Sequence, residues 1–245
     1  MVTGGSRGLG AAFARQCARA GARLVIVARD ETALRAMAAS ISASGRQCLA
    51  VHADIGNPAN VQECVDQAAA RFGRVDILIN NAGICSYGAI DSMGVDECRQ
   101  LLDVNLLGAI MMTRAVVTLM RKQGGGDIVN IASGAALSGL PNLAAYSATK
   151  AGLLGFSRAL GQELAQHRIR VFCPCPGWLD TDMLGAFPAS AIPPRSKRLS
   201  ADFVATRMIE LLQVPREVRE PWLARIAARA AHKLRPAPFP VFRFS

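Results

Sequence analysis

The sequence predicts an α/β fold, a doubly wound parallel sheet with helices on both faces. Short apolar runs alternate with longer segments of helical periodicity, and glycine or polar residues follow directly after the runs. No internal repeat or long linker interrupts this alternation before about residue 185. Repeated strand–helix–strand units imply right-handed crossovers and a sheet buried on both faces. Ligands bind such sheets at the carboxyl ends of the strands, so functional residues are expected just after the runs.

The strands are predicted from runs rich in Val, Ile and Leu, because a strand covered on both faces is apolar throughout. These runs are Arg23–Ala28, Gln47–Val51, Asp76–Ile79, Asp127–Ala132 and Ile169–Cys173. The segments between them have apolar residues at helical spacing and predict the covering helices. They are Gly8–Ala20, Glu31–Ser42, Asn60–Phe72, Val95–Arg121, Leu143–Gln166 and, near the end, Ser200–Leu212.

Length and composition exclude several classes of protein. The 245 residues suit one large domain, and 51% hydrophobic with 19% charged residues is too apolar for a disordered chain. No uninterrupted apolar run approaches the roughly 20 residues of a membrane-spanning helix, and no signal peptide is expected. The net charge is +10, but no zinc-finger, basic-zipper or RNA-binding motif accompanies it. We therefore expect no nucleic-acid partner.

Cysteine and histidine spacing predicts neither disulfides nor a metal site. The seven cysteines include no C-x-x-C pair, and His52, His167 and His232 have no partner at ligand spacing. We expect reduced thiols in a cytoplasmic protein. Cys173 and Cys175 are expected in a pocket wall rather than as a redox pair.

A glycine-rich turn follows the first residues. Gly4, Gly8 and Gly10 have the spacing G-x-x-x-G-x-G. Glycine permits the tight turn, and bare backbone N–H groups at a helix amino terminus can approach a pyrophosphate. No Lys-Ser or Lys-Thr pair follows at P-loop spacing, so an NTPase is disfavoured.

A Tyr-x-x-x-Lys spacing points to the chemistry. Tyr146 and Lys150 fall on one face of a helix, Ser133 directly follows a predicted strand, and Asn105 precedes that strand. Further motifs occur in the same order: TGGSRGLG, Asp54, NNAG, Pro176-Gly177 and Thr181. With this set, the sequence closely resembles the short-chain dehydrogenases/reductases over about residues 1–213, which implies one Rossmann-like domain.

The resemblance implies hydride transfer between a nicotinamide cofactor and a carbonyl or secondary alcohol. Tyr146 would be the general acid or base. Lys150, together with the oxidised nicotinamide, would lower the pKa of the Tyr146 phenol, and it would also hold the nicotinamide ribose. Ser133 would donate a hydrogen bond to the substrate oxygen. Asn105 would anchor a water that connects Lys150 to solvent.

The residue after the second strand favours NADP(H). NAD enzymes usually have an acidic residue there that binds the ribose 2′-hydroxyl. This chain has Arg29 instead, which can pair with a 2′-phosphate, and Arg7 in the glycine-rich turn can reach the same phosphate. Asp30 follows Arg29 and is expected to cap the next helix. Asp54 would bond the adenine. The resemblance implies this full set of cofactor-binding residues: Thr3, Gly4, Ser6, Arg7, Gly8, Leu9, Gly10, Arg29, Asp54, Ile55, Asn81, Ala82, Gly83, Tyr146, Lys150, Pro176, Gly177 and Thr181.

The amino-terminal end departs from the family. Relatives have a full strand before the Thr-Gly pair, whereas only Met1 and Val2 precede Thr3 here. Either the recorded start is internal to the true product, or the sheet contains a clipped first strand. We expect the former, and a less stable sheet in the recorded form.

The carboxyl-terminal end departs as well. Residues 214–245 are expected to form a basic amphipathic tail with a helix at Trp222–Leu234, and no good strand follows the last domain helix. Phe239, Phe242 and Phe244 in this tail are expected to pack on the domain or on a second subunit. Peripheral membrane attachment is the alternative.

The expected substrate is a small hydrophobic carbonyl compound. Leu184–Lys197, where the family has a mobile lid, is apolar, and so are Ala136, Leu137, Leu140 and Leu143. A 3-oxoacyl thioester, a lipid ketone and a steroid-like ketone are alternatives, and a homo-oligomer (dimer or tetramer) is expected. The competing hypothesis is a non-catalytic nucleotide-binding or regulatory protein on the same fold.

Overall fold

A seven-stranded sheet forms the centre of the computed structural model, which describes residues 1–213 and 239–244. The strand order is β3-β2-β1-β4-β5-β6-β7, and all neighbours are parallel except β7, which runs antiparallel to β6. The strands are β1 (Val2–Thr3), β2 (Leu24–Ala28), β3 (Cys48–His52), β4 (Ile77–Asn80), β5 (Gly126–Asn130), β6 (Ile169–Pro174) and β7 (Val241–Phe244). The predicted doubly wound α/β fold is confirmed.

Helices cover both faces of this sheet. They are α1 (Gly8–Arg19), α2 (Glu31–Ala43), α3 (Pro58–Phe72), α4 (Val95–Leu102), α5 (Gly108–Lys122), α6 (Ala135–Ser138), α7 (Ala144–Leu164) and α8 (Ala201–Leu212). One apolar core joins the sheet to α1, α2 and α8, and the other joins it to α3, α5 and α7. The carboxyl ends of the parallel strands therefore share one edge, which stays open between the two helical layers.

Most element boundaries differ from the sequence predictions by a residue or two, but the predicted helix Val95–Arg121 is interrupted. A π-helical turn, Asp103–Leu107, separates α4 from α5. An extra residue in a helical turn rotates the side chains around it, and such turns are frequent at functional sites. Apolar periodicity alone does not reveal this turn, because apolar residues recur at helical spacing on both sides of it.

By length and composition alone, the helical segment Val95–Lys122 would be able to cross a membrane. The sequence contains no uninterrupted apolar run here, because charged residues such as Arg99 and Arg114 break the segment. In the structure α4 is largely exposed, whereas Met112, Val116 and Met120 on α5 are fully buried. Helix α5 is therefore a core helix of the domain.

Strand β1 is short but has partners on both sides. Val2 pairs with Ile26 of β2 and with Ile79 of β4. Thr3 is fully buried, and its Oγ1 accepts hydrogen bonds from the backbone N–H groups of Asn81 and Ala82, at 3.0 Å each. These contacts place the glycine turn between the ends of β2 and β4.

The segment expected to be a tail supplies the last strand. Val241–Phe244 pairs with β6, Phe239 is buried, and Phe242 and Phe244 pack on a small core that contains Cys173 and Cys175. Packing on the domain is thus the correct alternative for these phenylalanines. This strand was not predicted from the sequence. A strand was expected close to the end of α8, whereas the four-residue strand Val241–Phe244 lies far from α8 and follows Pro240. The predicted helix Trp222–Leu234 lies outside the described residues.

Strand β7 approaches the backbone of α7 at a glycine. A Cβ atom on Gly161 would lie 2.8 Å from both the backbone carbon and the oxygen of Phe244. A backbone cannot move aside as a flexible side chain does. Gly161 therefore permits the contact between α7 and β7.

We expect Gly161→Ala to lower the free energy of unfolding by about 1–3 kcal/mol, the scale of overpacking in a filled core. The matched control is Gly155→Ala on the same helix, where an added Cβ meets nothing within 4 Å. There the higher helix propensity of alanine should stabilise the protein by about 1 kcal/mol. Urea unfolding of both variants tests the opposite signs. Equal stabilisation by both changes would show that β7 does not depend on Gly161.

Candidate active site

A cavity of about 610 Å³ lies along the carboxyl edge of the sheet, a size that suits a bound small molecule. All but three of the predicted site residues line it. Those in the lining are Gly4, Ser6, Arg7, Gly8, Leu9, Arg29, Asp54, Ile55, Asn81, Ala82, Gly83, Ser133, Tyr146, Lys150, Pro176, Gly177 and Thr181. Thr3, Gly10 and Asn105 lie behind this lining and support it.

The glycine turn fits a diphosphate by its shape. Gly4 and Gly8 have φ of +64° and +53°, a conformation that favours glycine. A Cβ on Gly4 would lie 2.9 Å from Ala82 Cα, and one on Gly10 would lie 2.7 Å from the carbonyl carbon of Gly4. Helix α1 begins here without a side-chain cap. Its first N–H groups therefore remain available to an anion that approaches the turn.

The two arginines predicted to favour NADP(H) both reach the cavity. The Arg29 side chain is about half exposed, and its Nη1 lies 3.7 Å from Asp54 Oδ2. Asp54 Oδ1 accepts the backbone N–H of Gly56 at 2.9 Å. Asp30 caps α2 by accepting the N–H of Ala33 at 2.9 Å, as the sequence predicts. Arg7 and Arg29 thus both bring positive charge to the cavity lining, where a phosphate can interact with it.

Asn105 lies on the π-helical turn and joins two walls of the site. Its Oδ1 accepts the N–H of Ile84 at 2.8 Å, and its Nδ2 donates to the Ile84 carbonyl at 2.9 Å and to Thr149 Oγ1 at 3.2 Å. A Cβ on Gly83 would lie 3.2 Å from Asn105 Oδ1 and 3.5 Å from Lys150 Nζ. Asn105 therefore fixes the strand β4 turn against α7. Its expected role in holding a water stays a prediction.

Ser133, Tyr146 and Lys150 meet at the centre of the cavity. Ser133 follows β5 and lines the cavity with Tyr146, and its Oγ accepts the backbone N–H of Ala135 at 3.2 Å. Lys150 Nζ donates to the Ile131 carbonyl at 2.9 Å and lies 5.9 Å from the centroid of the Tyr146 ring. Tyr146 and Lys150 are 9% and 5% exposed, so both ionisable groups are largely removed from water. The four-residue spacing on α7 brings them together as predicted.

Burial controls the ionisation of this pair. It raises the pKa of the Tyr146 phenol well above its ordinary value, with a smaller contribution in the same direction from Cys85, while Ser133 acts against it. Burial lowers the pKa of Lys150 to about 8. Among the protein's own groups the loss of hydration of the phenolate dominates. The phenol is therefore neutral and protonated at neutral pH. The lowering expected from Lys150 together with the oxidised nicotinamide stays a prediction.

Several cavity residues were missed by sequence reasoning. They are apolar or aromatic side chains beside the polar centre, among them Ile84, Cys85, Val104, Trp178 and Met183. Ile84 and Cys85 follow the NNAG motif directly, and Trp178 follows Pro176-Gly177. Their position next to these motifs is the sequence feature that could have predicted them as cavity residues.

The expectation for Cys173 and Cys175 is wrong. Both are almost completely buried and pack behind the site in the core under β7, outside the cavity lining. They lie on β6 and just after it, where the covering strand removes them from the pocket wall. Within residues 1–213 and 239–244, no group of three or more His, Cys, Asp or Glu side chains could hold a metal ion.

Comparisons with known proteins agree with this geometry. A family model described as short chain dehydrogenase matches residues 1–191. A 3-oxoacyl-[acyl-carrier-protein] reductase from Synechocystis sp. is 39% identical over 184 residues, 75% of this chain and 74% of that protein. The structure is also similar to a short chain dehydrogenase from Burkholderia cenocepacia in complex with NADP (TM-score 0.81, 35% identity, 89% of this chain and 91% of that chain). A 3-ketoacyl-(acyl-carrier-protein) reductase from Brucella melitensis complexed with NADH gives a TM-score of 0.80 at 34% identity, covering 86% and 89% of the two chains.

The lowered pKa of Lys150 should appear in the pH dependence of stability. Between about pH 8 and the ordinary value of 10.5, the unfolded chain binds a proton at Lys150 that the folded chain has lost. The contribution of Lys150 to stability therefore rises with pH across this window, by up to about 1.4 kcal/mol per pH unit. Below pH 8 the buried ammonium destabilises the fold most. We expect Lys150→Met to have a higher free energy of unfolding than the parent at pH 7 and to lose this advantage by pH 10.

Urea unfolding of parent and variant at several pH values measures this difference. Lys122→Met, a change at an exposed lysine of α5, controls for the loss of one positive charge. A parent-minus-variant difference that stays constant from pH 7 to 10 would contradict the lowered pKa of Lys150.

Proposed function

Because the chain belongs to the short chain dehydrogenase family, we propose that it is an NADP(H)-dependent oxidoreductase acting on the carbonyl or secondary alcohol of a hydrophobic substrate. One observation carries the proposal. Ser133, Tyr146 and Lys150 line a single cavity together with Arg7 and Arg29. The similar reductases favour a 3-oxoacyl thioester as substrate, with a lipid or steroid-like ketone as the alternative.

The donor set of the cavity fits NADP(H). The glycine turn and the first N–H groups of α1 would hold the pyrophosphate, and Arg29 with Arg7 would hold the 2′-phosphate through charge-assisted hydrogen bonds. Asp54 would bond the adenine, and the residues after β4 would line the adenosine ribose. Pro176, Gly177 and Thr181 would close over the nicotinamide. When bound, this cofactor supplies or accepts the hydride.

The protein residues move the proton. In reduction, Ser133 donates a hydrogen bond to the substrate oxygen and holds it beside the Tyr146 hydroxyl. Tyr146, kept neutral by burial, gives its proton to that oxygen as negative charge develops there. Lys150, with a pKa of about 8, is mostly protonated at neutral pH and stabilises the resulting phenolate. In oxidation the same proton returns to Tyr146.

The cavity surface supports a hydrophobic substrate. Leu140 and Leu143 line it from the segment before α7, and Leu184 and Phe187 line it from the expected lid. Ala136, Leu137 and Ile192 lie outside the lining. A homo-oligomer and a cytoplasmic location remain part of the proposal. A non-catalytic nucleotide-binding role has no observation in its favour, and the Tyr146 variant below distinguishes it from an enzyme.

We expect Tyr146→Phe to remove nearly all NADPH oxidation with 3-oxoacyl N-acetylcysteamine thioesters, because the phenol supplies the proton. A loss of at least about 100-fold in kcat is the scale of general acid catalysis. NADPH binding, followed by fluorescence, should persist, since the ring remains in place. Retention of most turnover would overturn the assigned proton donor. Absence of turnover in the parent with every carbonyl tested would favour the non-catalytic alternative.

We expect Arg29→Ala to weaken NADPH binding by about tenfold or more and to leave NADH binding nearly unchanged, because one charge-assisted hydrogen bond to the 2′-phosphate is lost. Arg35→Ala is the matched control, since Arg35 lies nearby on α2 and pairs with Glu31 outside the cavity. Fluorescence titration of both nucleotides measures the ratio of dissociation constants. An unchanged ratio in Arg29→Ala would refute the assignment.

A further inference from the structure

Three aromatic side chains form a wall at one side of the cavity, and two of them, Tyr87 and Phe187, share the apolar cluster of Tyr146. This aromatic wall consists of Tyr87, Phe187 and Trp178. The Phe187 ring stands between the other two, with ring centroids 5.6 Å from Tyr87 and 5.0 Å from Trp178, in tilted and edge-on orientations. Phe187 and Trp178 line the cavity, and Tyr87 stands behind Phe187.

Both neighbours of Phe187 are anchored to the body of the domain. The Tyr87 hydroxyl accepts a hydrogen bond from Asn142 Nδ2 at 2.9 Å, and the N–H of Gly88 donates to the Asn142 carbonyl at 2.9 Å. The Trp178 carbonyl accepts the N–H of Leu199 at 2.8 Å. The ring of Phe187 is therefore held between two fixed surfaces.

The segment that carries Phe187 is also fastened at its base. Asp180 accepts hydrogen bonds from Arg198 at 3.0 Å and from Arg195 at 3.3 Å, and Arg198 Nε donates to the Pro193 carbonyl at 2.8 Å. Leu179 and Leu199 form a β-bridge beside these contacts. The loop is thus closed on itself, and its apolar side chain at position 187 reaches the cavity from a defined position.

We propose that Phe187 is the residue that limits the length of the acyl group that the cavity accepts. The inference rests on the proposed reduction of hydrophobic carbonyl substrates. The Phe187 ring fills the gap between Tyr87 and Trp178 at the side of the cavity. Without the ring, that gap joins the cavity, and its two aromatic faces offer apolar surface to additional methylene groups. The size of the side chain at position 187 then sets where an acyl chain must end.

A graded series of variants tests this proposal: Phe187→Trp, Phe187→Leu and Phe187→Ala. The measured quantity is kcat/KM for NADPH-dependent reduction of 3-oxobutanoyl, 3-oxooctanoyl and 3-oxododecanoyl N-acetylcysteamine thioesters. We expect the ratio of kcat/KM for the longest substrate to kcat/KM for the shortest to fall in Phe187→Trp. The same ratio should rise in Phe187→Leu and rise further in Phe187→Ala. The total rise in Ala should be about tenfold or more, since single methylene groups in apolar pockets already discriminate on that scale.

Ile192→Ala is the matched control, because it shortens an aliphatic side chain of the same loop outside the cavity lining. Its chain-length ratio should match that of the parent. An unchanged ratio across the Phe187 series, or an equal loss of activity with all three thioesters, would overturn the proposal. If the parent reduces none of these thioesters and no ketone of matching chain length, the proposed function itself fails.

Discussion

The site depends on the close approach between the turn after β1 and the turn after β4. Asn81 Nδ2 donates to the Thr3 carbonyl at 3.0 Å, and Thr3 Oγ1 accepts hydrogen bonds from the backbone N–H groups of Asn81 and Ala82. The space between the turns admits no side chain at Gly4. Because the turns are joined in this way, the amino terminus of α1 and the polar centre on α7 face one continuous cavity.

Burial sets the protonation states of the ionisable groups in that cavity and also lowers the stability of the folded protein. A phenol and an ammonium group that are largely withdrawn from water shift toward their neutral forms, which makes Tyr146 a retained proton donor and leaves Lys150 near its ionisation point at neutral pH. The carbonyl of Ile131 offers Lys150 one hydrogen bond, which offsets part of the loss of hydration. The same desolvation therefore keeps the proton on Tyr146 and, at Lys150, disfavours the folded state at neutral pH.

Most of the fold and the polar centre of the site could be predicted from sequence, because both follow from periodic or local signals. Strand runs, helical spacing and residues just after strands identify the sheet and place Ser133, Tyr146 and Lys150 together. Features that depend on distant contacts were not accessible. The π-helical turn that positions Asn105, the last strand against Gly161, and the burial that raises the pKa of Tyr146 each result from packing between segments far apart in the chain.

The core helix α5 has a consequence for the synthesis of the protein. Its apolar face would expose a surface attractive to membranes and to chaperones if it left the ribosome unpartnered. Its packing partners on α3 and β4 precede it in the chain, and Val61, Cys64 and Leu78 on those elements share its core. Burial of this face can therefore begin during translation, before β5 and the residues of the Tyr-x-x-x-Lys helix have been added.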